Sequence, residues 1–293
     1  YHRYTGYLGP VVALGDEVGV VSRRGAFLDR PECDLDAAAD LVWYSPELAR
    51  VRTTTVPGCT SALQALPDGR AALIAWTETS SVYVGLLDPA RGVVRRQRVP
   101  IPDLRAAAVS AVTLAPDGRR VVLAVTSVDL PSAGPRGHLL VVEPATLAVT
   151  RFVLPDNAVF GLAIEDDEVA FVGDTEDLVG WIDPDTGRVS STEPVPSTAS
   201  VTLGDLAYDA ATERLFLALP SEDTVLYTFR RRKLAARLRV PDGPWRPTTL
   251  LRLGPGAGAL LVGSTLGARD GTYTAGLSRI AAADDGVLPG VIP

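Results

Sequence analysis

The chain has 293 residues, is 46% hydrophobic, and carries 27 glycines and 23 prolines against only 6% aromatics. That balance excludes a disordered chain and favours many short strands joined by tight turns over long helices. The formal net charge of −7 argues against nucleic acid or an anionic membrane surface as partner, since either needs a basic face to displace counterions.

Taken in chain order, a turn followed by an apolar-rich run recurs six times: LGDEVGVVS from Leu14, LPDGRAALIAW from Leu66, APDGRRVVLAV from Ala115, EDDEVAFVG from Glu165, DAATERLFLAL from Asp209 and GPGAGALLVG from Gly254. The interval is about 50 residues, the scale of a stacked supersecondary unit. A second turn follows each of the first four, at Ser45-Pro46, Asp88-Pro89, Glu143-Pro144 and Asp183-Pro184. Asp or Ser at the first position bonds the backbone two residues on, proline presets the next φ, and Gly92 and Gly187 relieve the exit. Between the turns the chain alternates or runs apolar with β-branched enrichment, which predicts about four strands per unit. Trp43 and Trp181 each sit two residues before a second turn and are expected in the core.

These elements predict an all-β chain: a single β-propeller domain over residues 1–293, six-bladed, with four antiparallel strands per blade. A seven-bladed ring with one degenerate blade is the alternative. The strand around Tyr4 to Tyr7 is expected to complete the last blade, which would remove two open edges. The PDG hairpins and the DP-x-TG turn at Asp183 to Gly187 resemble the YVTN-type branch of the WD-repeat-like propellers over residues 10 to 280. That resemblance implies the fold and no activity.

In a four-strand meander the tight marker turns share one side, read here as structural. The irregular connections share the other side, where a propeller carries its site. The irregular loops are rich in carboxylates. Asp174, Glu176 and Asp177 sit in one loop, and Glu222 and Asp223 occupy the equivalent loop of the next unit. Glu176, Asp177, Glu222 and Asp223 are candidate acid and base residues, with His138 as a candidate general base. Asp174, Glu176 and Asp223 are candidate metal ligands; no cofactor is predicted, and Ca²⁺ is the cation such hard oxygens would accept. Trp245, Arg246, Arg136, Asp174, Asp205, Glu78 and Tyr273 are candidate ligand contacts, the indole and guanidinium groups because they combine contact area with directed hydrogen bonds. The basic tetrad Arg230 to Lys233 falls on a tight turn and reads as an exposed hairpin tip, with a docking patch for an acidic partner as the alternative.

The leading functional expectation is a binding module, taking a protein, a peptide or a small molecule on the acidic irregular-loop face. A propeller enzyme (lyase, hydrolase or cyclase) using pocket carboxylates is the alternative. No apolar run reaches the roughly 18 residues that span a bilayer, and residues 1–8 lack the charged-then-apolar order of a signal peptide, so a soluble monomer is expected. Cys33 and Cys59 are the two cysteines. Their pairing would add about 3 kcal/mol by closing the intervening loop and would point to an extracellular or cell-envelope location; unpaired, they would suit the cytoplasm.

Overall fold

The computed structural model describes residues 6–24, 38–47, 49–78, 80–101, 107–115, 117–127, 137–154, 159–173, 178–195, 205–218, 225–239, 246–252, 259–267, 273–281 and 291–292. These residues form strands and turns throughout, and none of them forms a helix long and apolar enough to cross a membrane.

The chain divides into two compact units, Tyr1–Val153 and Leu154–Pro293. In the first unit, β1 (Gly6–Leu14), β2 (Glu17–Arg24), β3 (Ala38–Tyr44) and β4 (Arg50–Pro57) form one antiparallel meander. Next come β5 (Thr60–Ala65), β6 (Ala72–Glu78), β7 (Ser81–Asp88) and β8 (Gly92–Pro100), then β9 (Ala107–Leu114), β10 (Val121–Ser127), β11 (His138–Glu143) and β12 (Ala148–Val153). The second unit repeats the pattern with β13 (Val159–Glu165), β14 (Glu168–Gly173), β15 (Leu178–Ile182) and β16 (Val189–Pro194). It continues with β17 (Asp205–Asp209), β18 (Arg214–Ala218), β19 (Val225–Arg230) and β20 (Lys233–Arg239), and ends with β21 (Arg246–Arg252), β22 (Ala259–Gly267), β23 (Tyr273–Ala281) and β24 (Val291–Ile292).

Each described turn sits where the repeat placed it, and the aspartates act as anticipated. Asp68 Oδ1 accepts the Arg70 N–H at 3.0 Å, Asp88 Oδ1 the Ala90 N–H at 2.8 Å, and Asp183 Oδ1 the Asp185 N–H at 2.7 Å. These side chains satisfy donors that a two-strand reversal leaves without ladder partners. Gly92 and Gly187 adopt φ of 80° and 69°, the left-handed region that costs glycine nothing.

Within a sheet, alternate residues face opposite neighbours. Ala72, Ile74 and Trp76 on β6 join Val21, Leu41 and Trp43 in the core between the first and second sheets. Leu73 and Ala75 on the same strand join Leu123, Val125 and Leu140 between the second and third. In the second unit Trp181, Val172, Leu217, Tyr227 and Phe229 fill the space between the fourth and fifth sheets. Trp43 and Trp181 are fully buried, as expected. Trp43 Nε1 donates to Thr54 Oγ1 at 3.0 Å, which removes the cost of burying an indole N–H without a partner.

One expectation is corrected. The N-terminal strand does not complete the last sheet: Gly6 pairs with Arg24 and Leu14 with Glu17, inside the first sheet. The sixth sheet instead takes its fourth strand from the C-terminus, where Val291 pairs with Ser278 and Ile292 with Leu277. The Val-Ile run pairs with two of the nine residues of β23.

Candidate functional site

Every tight hairpin needs a backbone position in the left-handed region, and glycine is its usual occupant. The first unit follows that rule at Gly15, Gly69, Gly92 and Gly118, with φ from 58° to 80°. Among the described residues, five that are not glycine adopt such angles: Leu147, Asp166, Glu213, Arg231 and Arg232, with φ of 60°, 55°, 52°, 50° and 61°. Leu147 is 4% exposed and packs into the core between the second and third sheets, so burial of its side chain explains it. The other four line one cleft.

That cleft holds about 340 Å³ in the second unit and is bounded by Glu165, Asp166, Tyr208, Glu213, Arg231 and Arg232. Three tight turns build it. The β13–β14 turn, closed by Glu165 opposite Glu168, supplies Glu165 and Asp166. The β17–β18 turn supplies Glu213 and is held by Asp209, whose Oδ2 accepts from the Thr212 N–H at 3.2 Å and from Thr212 Oγ1 at 2.7 Å. The β19–β20 turn is a two-residue reversal between Arg230 and Lys233, with both central arginines left-handed. That is the type I′ geometry, for which Asn-Gly is the favoured pair. Arg-Arg there costs roughly 1–2 kcal/mol per residue in backbone strain, and strain of this kind concentrates at functional sites.

Each side chain has a distinct electrostatic condition. Glu165 is 6% exposed and accepts a hydrogen bond from the Trp181 indole N–H. Burial pushes its carboxyl above the ordinary range, with the Trp181 bond partly opposing that. The Tyr208 phenol is pushed up to about 12, first by burial and then by Asp166, Glu165, Glu213 and Asp209 nearby, so it stays a neutral donor at physiological pH. Arg232 is committed to Glu168, 2.6 Å away, and reaches Ser190 Oγ at 3.5 Å. Lys233 pairs with Glu193 at 2.8 Å, and the Leu234 N–H donates to the same carboxylate, holding it below the ordinary range. The basic tetrad is therefore half pinned to the fourth sheet. Arg231 has no ion-pair partner among the described residues and faces the cleft.

A carboxyl with a raised pKa makes a pH prediction. Between the ordinary carboxyl value of 4.5 and the raised one, the folded state holds a proton that the unfolded chain has released, so stability falls as pH climbs through that window. Glu165→Gln is expected to flatten the fall while keeping an acceptor for Trp181. Urea midpoints from pH 4 to 8 check this, and parallel profiles for the two proteins would count against it.

Of the residues anticipated from sequence, some lie among the described residues and some outside them. Asp174, Glu176, Asp177, Glu222, Asp223, Arg136, Trp245 and Cys33 lie outside the described residues. Arg246 and Tyr273 open β21 and β23. Asp205 opens β17, half-buried, with its Oδ1 accepting the Leu206 N–H at 2.9 Å. His138 is fully buried at the start of β11, paired in register with Val125 and Val153. Glu78 lines a second cleft, of about 660 Å³, in the first unit. Cys59 is 3% exposed, and the described residues hold no free thiol. No three His, Cys, Asp or Glu side chains gather as metal ligands among the described residues.

No family model matches the chain, and no curated protein matches it. Solved structures do resemble it. Dihydro-heme d1 dehydrogenase NirN, solved in complex with DHE, is similar at a TM-score of 0.60 and 17% identity over 99% of this chain and 57% of that one. This chain thus spans little more than half of the NirN chain. A luciferin-regenerating enzyme is similar at a TM-score of 0.57 and 14% identity, over 89% of this chain and 84% of that one. At such identities the likeness concerns the fold: the four-stranded antiparallel sheets and these neighbours fit a β-propeller.

Proposed function

We propose that the chain is a six-bladed β-propeller of the YVTN-like kind acting as a binding module, and that the Glu165–Tyr208–Arg231 cleft receives a small polar ligand. Six sheets of one strand order at the interval of the sequence repeat support the blade number. The observation that carries the site is the convergence of four left-handed, non-glycine residues on one cleft. A volume near 340 Å³ suits a ligand of sugar or amino-acid size. Arg231 would hold an anionic group, Asp166 and Glu213 would accept from hydroxyl or ammonium groups, and Tyr208 would donate. The irregular-loop residues, with Trp245 and the Asp174 cluster, remain a second proposed surface, able to hold Ca²⁺ or a partner. Cys33 is proposed to pair with Cys59.

The propeller-enzyme reading draws on one observation, the buried Glu165 carboxyl. Its raised pKa suits proton transfer to a substrate in the cleft.

The test is a Glu213→Gly/Arg231→Gly variant. Glycine relieves the left-handed backbone, and the relief outweighs its added unfolded-state entropy, so the variant should gain about 1 kcal/mol in total. Hexuronic acids, hexosamines and α-amino acids at millimolar concentration are then assayed by thermal shift. At least one is expected to raise the parent's midpoint and leave the more stable variant unmoved, a trade of stability for function. Equal shifts in both proteins, or none in the parent, would remove the site.

A further inference from the structure

The outer strands β4, β8 and β12 carry Arg50, Arg52, Arg95, Arg96, Arg98 and Arg151 and no carboxylate, on a chain whose net charge is −7. Each is the terminal strand of its sheet. Terminal strands present backbone groups to any passing strand, and a row of like charges stops copies of one chain from pairing edge to edge. Several of these arginines are also spent on structure. Arg52 pairs with Glu17 and stacks over Trp43, Arg95 donates to the Ala145 and Thr146 carbonyls at 3.0 Å each, and Arg151 donates to the Pro100 carbonyl at 3.1 Å.

Protection and packing do not account for the cleft between β4 and β8. It holds about 660 Å³ and has a floor of Val56, Trp76 and Val93. Trp76 is fixed in place, stacked on Tyr83 at 5.2 Å and donating to Glu78 Oε1 at 3.1 Å, so the carboxylate on this wall is engaged with it. Val94 stands 44% exposed beside this floor. Arg91 and Arg96 line the cleft with no ion-pair partner among the described residues.

We propose that this cleft is a docking site for an extended acidic peptide of another protein. It would run beside β8, seat an aliphatic side chain on Val56, Val93 and Val94, and place carboxylates on Arg91 and Arg96. Three observations select this occupant. Eight of the nine residues of β8 pair with β7, Val94 standing at a bulge, and the strand's other edge is outermost, which is what strand addition uses. The apolar floor asks for side chains that a bare polyanion lacks. An acidic segment is repelled by the remainder of an acidic chain and attracted only where arginines stand without carboxylates, which gives register and specificity more than raw affinity.

The experiment measures fluorescence anisotropy of a capped peptide of about ten residues alternating Asp and Val. Its comparators are the Lys-for-Asp counterpart, single-stranded oligodeoxythymidylate and phosphatidylserine vesicles. The Asp–Val peptide should bind, with affinity falling as salt rises. Arg91→Glu/Arg96→Glu should weaken it about tenfold or more, and Val94→Ser should weaken it without changing the salt dependence. Both variants should keep the parent's unfolding midpoint, and the Glu213→Gly/Arg231→Gly variant should bind the peptide normally. Absence of binding by the Asp–Val peptide, equal binding of the Lys peptide, indifference to charge reversal, or equal affinity for the oligonucleotide or the vesicles would each overturn the proposal.

Discussion

Trp181→Ala is expected to destabilise the second unit by about 3–5 kcal/mol, measured by urea unfolding followed with circular dichroism. The indole is completely buried on β15, opposite Ala170 and Ser191, with the Phe229 ring against it at 6.4 Å and 73°. Truncation leaves a void that two strands cannot close, because each is held in register by ladders on both sides. It also removes the donor to Glu165, which is 6% exposed and would then face burial without that bond. Trp181→Phe separates the two effects. It restores most of the volume but no N–H, so it should cost less, and the Glu165 carboxyl should titrate higher still, since the Trp181 bond is what lowers it. A loss below about 1 kcal/mol for the alanine variant would mean that the fourth and fifth sheets do not depend on this contact.

Gly180→Ala should be the next most damaging change for its size. A β-carbon there would stand 2.4 and 2.6 Å from two carbons of the Phe171 ring, which is 1% exposed and lies directly opposite in the ladder. Atoms at that distance overlap, and the ring has no space to move into. Overpacking of this kind typically costs about 1–3 kcal/mol. Phe171→Leu in the Gly180→Ala background should recover part of the loss, giving a coupling energy that two independent sites would not show. Additive losses in the double variant would count against the clash. Both predictions bear on the cleft, because β14, β15 and their core hold the turn that carries Glu165 and Asp166.

The fold was legible in the sequence because its signals are local. Asp68, Asp88 and Asp183 announce their turns through side chains that reach only two residues along the chain. Strand alternation places Ala72 and Leu73 on opposite faces with no knowledge of what they meet. Trp43 and Trp181 could be assigned to the core from their spacing to a turn. The cleft was not legible. Its residues come from three hairpins in two sheets, and the usual sequence marker of a left-handed turn, glycine, is the residue that Asp166, Glu213, Arg231 and Arg232 replace. The sequence accordingly marks the tight turns as structural and the tetrad as an exposed tip, with a docking patch as the alternative. No signal in the basic tetrad distinguishes Arg231, which faces the cleft, from Arg232, which is tied to Glu168.

Local chemistry therefore determined the strands, their turns, the two-faced cores and the meander order of the first five sheets, because hydrogen-bond reach and period-two alternation act within a few residues. Tertiary structure alone decided which turns converge and which arginines find carboxylates, and also which strand completes the sixth sheet. Those outcomes depend on distances between residues tens of positions apart, and such distances come into being only when neighbouring sheets pack and exclude water between them.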